Sequence, residues 1–227
     1  MTVPLGPRVK PEGDGDAPPR SVVIAFAVAA MAAVVLLSNI LVQHPFAYSL
    51  GRLDLADLLT WGAFSYPLAF LVTDTTNRLL GPRIARRVVY LGFAVAVALS
   101  WYFAAPRIAI ASGTAFLAGQ LLDIGLFNLL RDRAWWKAPA FSSLAGSAAD
   151  TMLFFALAFA PAFVLLGGND PFAAEAAPLL GLYPVETPRW ISWALGDFAV
   201  KVLMAVFALI PYRIIVGWLA PLRPATQ

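Results

Sequence analysis

Five charged side chains, Asp74, Asp123, Asp150, Asp197 and Lys201, sit inside stretches of chain that are otherwise apolar enough to cross a bilayer. A charge at the centre of a span costs at least about 2.5–3.5 kcal/mol on insertion scales. Five of them in 227 residues are too costly for packing alone. They point to a polar site between helices, where a polar molecule binds or crosses. Asp197 and Lys201 are four residues apart, as are Asp74 and Arg78, and residues so spaced share a helix face. Either pair therefore has a purely structural reading as an internal ion pair. Lys201 has a second reading, as a movable countercharge to Asp123 or Asp150.

Two further segments carry polar faces. Ser112, Phe116, Gly119, Gln120, Asp123 and Phe127 recur at three- and four-residue spacing, and so do Ser143, Gly146, Ser147, Asp150 and Phe154. Each face mixes small residues, hydrogen-bonding groups, a carboxylate and an aromatic ring. Small residues let helices approach closely. A carboxylate and an amide can bond the edge of a planar, nitrogen-rich ligand while a phenyl ring stacks on its face. The run G-x-x-x-D-x-x-L-F occurs in both, from Gly119 to Phe127 and from Gly146 to Phe154. In successive helices of opposite direction, such an echo aims related carboxylates at one site, as inverted repeats do. A 3+3 inverted repeat and a chance match are both left open.

The elements that position these groups follow from composition. The chain is 60% hydrophobic and 13% charged, about half the charged share of a soluble domain. It reads as an all-α integral membrane protein with six transmembrane helices: 21–42, 58–80, 88–105, 108–130, 139–166 (bent near Pro161) and 190–210 (broken or kinked by Pro211). Residues 1–20 read as a disordered cytoplasmic tail, 21–219 as the transmembrane domain and 220–227 as a second cytoplasmic tail. No signal-peptide cleavage pattern follows Arg20. Basic residues cluster before the first span (Arg8, Lys10, Arg20), between the second and third, between the fourth and fifth, and after the sixth (Arg213, Arg223). The alternate loops hold Arg52, Arg107 and Arg189. The positive-inside rule therefore places both termini in the cytoplasm. Trp61, Trp101, Trp135, Trp136, Trp190 and Trp218 fall near span ends, as an interfacial belt requires. The loop 168–188 reads as solvated, with a lid over the site as the alternative.

Other chemistry is poorly supplied. There is no cysteine and one histidine, His44, so no metal or cofactor site is expected. The net charge of +3 is small and divided among loops, which argues against a nucleic-acid partner.

At this point the chain resembles the queuosine precursor transporter (VUT) family over most of residues 58–212. The likeness rests on Tyr66-Pro67, Phe70, Thr73-Asp74, Asn77, Gly81 and Ala85-Arg86. It continues with Gln120-x-x-Asp123, Ser142-Ser143, Asp150-Thr151, Phe154, Lys201 and Pro211-Tyr212. The resemblance implies an inner-membrane importer of 7-deazaguanines: the nitrile or aminomethyl precursor of the tRNA base queuosine, or queuine. Together with the helix faces above, it leaves Asp74, Asn77, Gln120, Asp123, Phe127, Ser147, Asp150, Phe154 and Lys201 as substrate-binding candidates, and Asp197, Lys201 and Arg78 as coupling or countercharge candidates. Asp123 and Asp150 are expected to hold the base, with Phe127 or Phe154 stacking on it. The chain departs from the pattern at Arg78, where many relatives carry glutamate, and at Ser147, where many carry glutamine. A homo-oligomer, proton coupling and facilitated diffusion all stay open. The rivals are a substrate-binding subunit of an energy-coupling-factor vitamin importer and an intramembrane enzyme. The second is disfavoured because Ala194-Leu195-Gly196-Asp197 lacks the first glycine of a GxGD protease motif.

Overall fold

The computed structural model describes residues 19–41, 44, 46–51, 53–103 and 106–219. The expected tails, 1–18 and 220–227, lie outside the described residues, as do Arg8, Lys10, Arg52 and Arg223 of the topology argument. The molecule is a helical bundle of α1 (Arg20–Leu41), α2 (Gly62–Ser65), α3 (Leu68–Leu80), α4 (Pro82–Phe103), α5 (Pro106–Leu130), α6 (Lys137–Phe159), α7 (Pro171–Ala174) and α8 (Arg189–Leu219). Four of these, α1, α5, α6 and α8, are long and apolar enough to cross a membrane. Large apolar side chains point outward around the bundle, among them Phe26, Leu129, Met152, Val206, Phe207 and Ile210. So broad an exposed apolar surface suits lipid rather than water. Trp61, Trp135, Trp136 and Trp218 are also exposed, and the Trp101 side chain lies outside the described residues.

The expected span 88–105 begins earlier, at Pro82 of α4, and three other spans differ from expectation at a proline. The expected span 58–80 is divided. Pro67 has no N–H to offer, and the ladder passes it through short bonds, Ala69 N to Tyr66 O and Phe70 N to Pro67 O, before α3 resumes. The expected span 139–166 ends at Phe159. Ala160, the residue before Pro161, is extended (φ −66°, ψ 138°), and 161–166 is a separate 3₁₀ turn. Pro211, by contrast, does not end α8, which runs on to Leu219. One lost backbone bond is tolerated inside a packed span.

The structure also adds two short antiparallel hairpins to the expected all-α fold. β1 (Ser49–Leu50) pairs with β2 (Leu53–Asp54), and β3 (Ala176–Leu179) with β4 (Tyr183–Pro188). The second hairpin turns at Leu180 (φ 56°) and Gly181 (φ 69°). The rare left-handed leucine is held by its N–H donating to Ser192 Oγ at 2.9 Å. The 168–188 segment is therefore built structure. Asp170 caps α7 through the N–H groups of Phe172 and Ala173, and β3–β4 leads directly into α8.

One core lies where α1, α3, α4 and α5 meet, with Met31, Val35, Ala69, Val88, Val89, Phe116 and Ile124 buried together. The most extensive helix pair is α5 with α6. Its crossing is set by two glycines: a Cβ on Gly119 would lie 2.9 Å from Gly146 O, and a Cβ on Gly146 would lie 2.9 Å from Gly119 O. Arg107, which the sequence places in an outer loop, is buried at the start of α5. It donates to the carbonyls of Leu157, Ala160, Gly167 and Gly168 and to Asn169 Oδ1. Its guanidinium thus satisfies the Leu157 carbonyl, for which Pro161 has no N–H, and ties the end of α6 to the turn that follows.

Candidate functional site

Near the middle of α6 and α8 three charges meet. Lys201 Nζ lies 2.6 Å from Asp150 Oδ2 and 2.6 Å from Asp197 Oδ2. It also donates to Thr151 Oγ1 at 3.1 Å, and that hydroxyl donates to Asp197 Oδ2 at 2.7 Å. Asp197 and Lys201 are one turn apart on α8, and Asp150 and Thr151 reach them from α6. The lysine therefore ties two helices together. Its Nζ also lies 5.7 Å from the centre of the Tyr66 ring, which is cation–π range.

This triad is the floor of a cavity of about 490 Å³. The wall is aromatic. Phe154, Phe155 and Phe159 come from α6, Phe116 from α5 and Tyr66 from the α2–α3 join, with Ser38, Thr60 and Ser112 as hydroxyl neighbours. Phe154 and Phe155 meet edge to face at 5.0 Å, and Phe159 meets Trp193 at 5.6 Å. Phe172 of α7, Trp193 and Arg189 stand at the rim. The Arg189 guanidinium lies 4.6 Å above the Phe172 ring and pairs with Glu175 at 3.1 Å. The segment 168–188 thus contributes directly to the mouth of the cavity.

A second polar cluster lies deeper, between α3, α5 and α6. Asp74 accepts from Ser143 at 2.9 Å and from Ser142 at 3.3 Å. Asp123 faces the same two serines and the Asp74 carboxylate. Thr73 donates to Gln120 Oε1, and Asn77 Nδ2 reaches the carbonyl of Ile124 at 3.4 Å. Both carboxylate oxygens of Asp123, together with Asn77 Oδ1, Gln120 Nε2 and Ser147 Oγ, are buried without a hydrogen-bond partner among the described residues. Asp74, Ser143 and Ser147 line a crevice of only about 10 Å³, with Lys201, Leu209 and Tyr212 on its other side.

The sequence-derived site residues are therefore divided between two places. Asp150, Phe154, Asp197 and Lys201 line the cavity; Asp74 and Ser147 line the crevice; Asn77, Gln120 and Asp123 are buried in the deeper cluster. Phe127 is fully buried against Tyr212, with ring centres 6.5 Å apart, and lines neither space. Arg78 donates to the carbonyl of Arg131 at 2.6 Å. The expectation that all the acidic groups share one chamber is corrected. The reason lies at the glycine crossing. Gly119 approaches Asp150, and Gly146 approaches Asp123, so the two helices run antiparallel. Each aspartate is one turn beyond its own glycine and level with the glycine of the other helix, so at 1.5 Å per residue the two carboxylates are offset by about 6 Å along the helix axes. Sequence reasoning also missed Thr151, Phe155, Phe159, Phe172, Arg189 and Trp193. The one available signal was the four-residue spacing of Phe155 and Phe159 on the face that continues from Asp150 and Thr151.

A family model described as "Putative vitamin uptake transporter" matches residues 60–105 and 100–216. The "Queuosine precursor transporter" of Escherichia coli K12 is 34% identical over 199 residues, covering 78% of this chain and 79% of that protein. The "Probable queuosine precursor transporter" of Haemophilus influenzae is 30% identical over 205 residues, covering 78% and 79%. That of Bacillus subtilis is 25% identical over 181 residues, covering 67% and 69%. This chain belongs to the queuosine precursor transporter (VUT) family. No solved structure matches it significantly. The family match begins at residue 60, so it spans both polar clusters and every element from α2 to α8, and leaves α1 outside. As a VUT protein the chain is a multi-pass membrane transporter of a small molecule.

Proposed function

We propose that this VUT protein is an inner-membrane carrier that imports a 7-deazaguanine precursor of queuosine, with six spans and both termini cytoplasmic. On this reading α2 and α3 together make the second span and α4 the third. The tails 1–20 and 220–227 lie in the cytoplasm, flanking the transmembrane domain 21–219. The loop charges set this orientation, and it puts the mouth of the cavity on the outer side.

The observation that carries the reading is the Asp150–Lys201–Asp197 triad at the floor of an aromatic-walled cavity. A 7-deazaguanine presents N1–H and a 2-amino group on one edge and a carbonyl beside them. A carboxylate accepts from the first two in a bidentate manner, and an ammonium donates to the third. Asp150 and Lys201 supply those two groups side by side, and Asp197 is placed to hold the lysine while Asp150 turns to the ligand. Phe154 is the ring for stacking, since Phe127 is enclosed in the core. Lys201 lines both the cavity and the crevice beyond it. Exchange of its carboxylate partner for substrate is thus the event that loosens α6 from α8 and opens the far side.

The test is uptake of radiolabelled 7-cyano- and 7-aminomethyl-7-deazaguanine into proteoliposomes holding this chain alone. Saturable uptake, suppressed by the unlabelled base and lowered more than tenfold in Asp150→Asn, is expected. Uptake that requires added ATPase subunits, or that is unchanged in Asp150→Asn at equal protein level, refutes the assignment.

A further inference from the structure

The Asp74–Asp123 cluster takes no part in the substrate chemistry above, yet it is the most fully buried polar group of the molecule. Asp123 and Asn77 are 0% exposed, Ser147 1% and Asp74 2%. Two facing carboxylates at this depth repel each other in a low-dielectric setting. The ion pairs shown, Arg189–Glu175 and those of Lys201 with Asp150 and Asp197, do not reach Asp123. Around Asp123 stand the Asp74 carboxylate and the hydroxyls of Ser142 and Ser143, and the Ser147 hydroxyl lines the adjoining crevice with Asp74. Among the described residues, both oxygens of Asp123, Ser147 Oγ and Asn77 Oδ1 have no hydrogen-bond partner, nor has the one nearby amide donor, Gln120 Nε2. An anionic nest of unpartnered oxygens is the environment that a small hard cation or a proton completes. The adjoining crevice of about 10 Å³, which Asp74, Ser143 and Ser147 line on one side and Lys201 on the other, has room for one such particle beside Asp74 and not for an organic molecule.

We propose that this cluster binds a single monovalent coupling cation, H⁺ or Na⁺, whose downhill passage drives substrate through the neighbouring cavity. The proposal rests on the carrier reading above.

The surroundings leave the cation's role to these groups. On α8 the facing groups are Lys201, committed to Asp150 and Asp197, and Tyr212. On α6 they are the three serines and, beyond the glycine crossing, Asp150. On α3 itself Arg78 donates to the Arg131 carbonyl. The apolar core beside α3 and α5 takes Ala85, Val88 and Val89 from α4 and Met31 and Val35 from α1. Lys201 stands between the two sites. A charge entering the cluster acts on the ammonium that holds Asp150 and so couples the two sites electrostatically.

The experiment uses the full chain in proteoliposomes with neutral 7-cyano-7-deazaguanine as probe, so that the substrate carries no charge of its own. Voltage is clamped with valinomycin and potassium. One arm imposes an inside-alkaline gradient of one pH unit without sodium; the other imposes a tenfold inward sodium gradient at equal pH. One arm is expected to raise internal substrate transiently above the outside level, by up to about tenfold for one cation per substrate. The responding arm identifies the cation. Asp123→Asn, whatever its rate, should bring substrate only to the outside concentration in both arms. Wild-type protein that equilibrates substrate but accumulates it in neither arm overturns the proposal while leaving the carrier intact, as does an Asp123→Asn variant that accumulates like wild type. Wild-type protein with no uptake under any gradient overturns the carrier reading and the cation site with it.

Discussion

Two glycines on one helix should respond in opposite ways to the same added methyl group. On Gly119 of α5, a Cβ would sit 2.9 Å from the backbone oxygen of Gly146 and 3.0 Å from Asp150 Cβ; on Gly125, two turns on, it would meet nothing within 4 Å. At Gly125 only the local term operates, and alanine is favoured over glycine in a helix interior by about 1 kcal/mol. At Gly119 the same gain is opposed by overpacking, which costs about 1–3 kcal/mol. The obstacle is a carbonyl of the facing helix, so α5 and α6 must move apart to relieve it. Gly119→Ala should therefore be less stable than Gly125→Ala by about 1–3 kcal/mol, since the propensity gain is common to both. Gly146→Ala should fall with Gly119→Ala, because its Cβ would lie 2.7 Å from Phe70 Cε1 and 2.9 Å from Gly119 O. The assay is the unfolded fraction against denaturing detergent, monitored by circular dichroism, with uptake measured on the same preparations. Separation of α5 from α6 also displaces Asp123 and Asp150, so uptake should fall in the two crossing variants and persist in Gly125→Ala. Equal stability of Gly119→Ala and Gly125→Ala would refute the close crossing, and with it the account of how the two aspartates are divided.

Three further outcomes are expected. Lys201→Met strips the cation from two carboxylates, of which Asp150 is buried, and should destabilise the fold by about 3–5 kcal/mol; adding Asp150→Asn should restore much of that stability in detergent unfolding without restoring uptake. Arg107→Ala should cost roughly 3 kcal/mol, because several buried carbonyls lose a charged donor together, and Arg107→Lys should recover little, having one nitrogen where the arginine fork has three; thermal unfolding of the three proteins decides this. Glu175→Gln at the cavity mouth should change stability by less than about 1 kcal/mol, as its ion pair with Arg189 is partly exposed, and a large loss in thermal unfolding would mean that the rim has a structural task.

Much of this protein is written in single segments. Spacing along a helix is fixed by its 3.6-residue turn, so the Asp197–Lys201 pair, the polar faces around Asp123 and Asp150, and the small residues that let those faces meet are all legible before any coordinates. The apolar segments and the depth of the charges within them follow from composition in the same way. What composition could not supply is the relation between helices. Rotation about an axis and the offset between neighbours depend on side chains from two segments at once. The partner of Lys201 across the bundle, the serines that claim Asp74 and the enclosure of Phe127 against Tyr212 all depend on that offset. The prolines show the same limit on a smaller scale: Pro67, Pro161 and Pro211 look alike in sequence, yet they interrupt, end and merely punctuate their helices, according to what surrounds the backbone groups each one frees. Composition and helical spacing mark the four aspartates and Lys201 as lying within the bundle; the antiparallel glycine contact of α5 and α6 decides which of them open onto the cavity and which are sealed behind it.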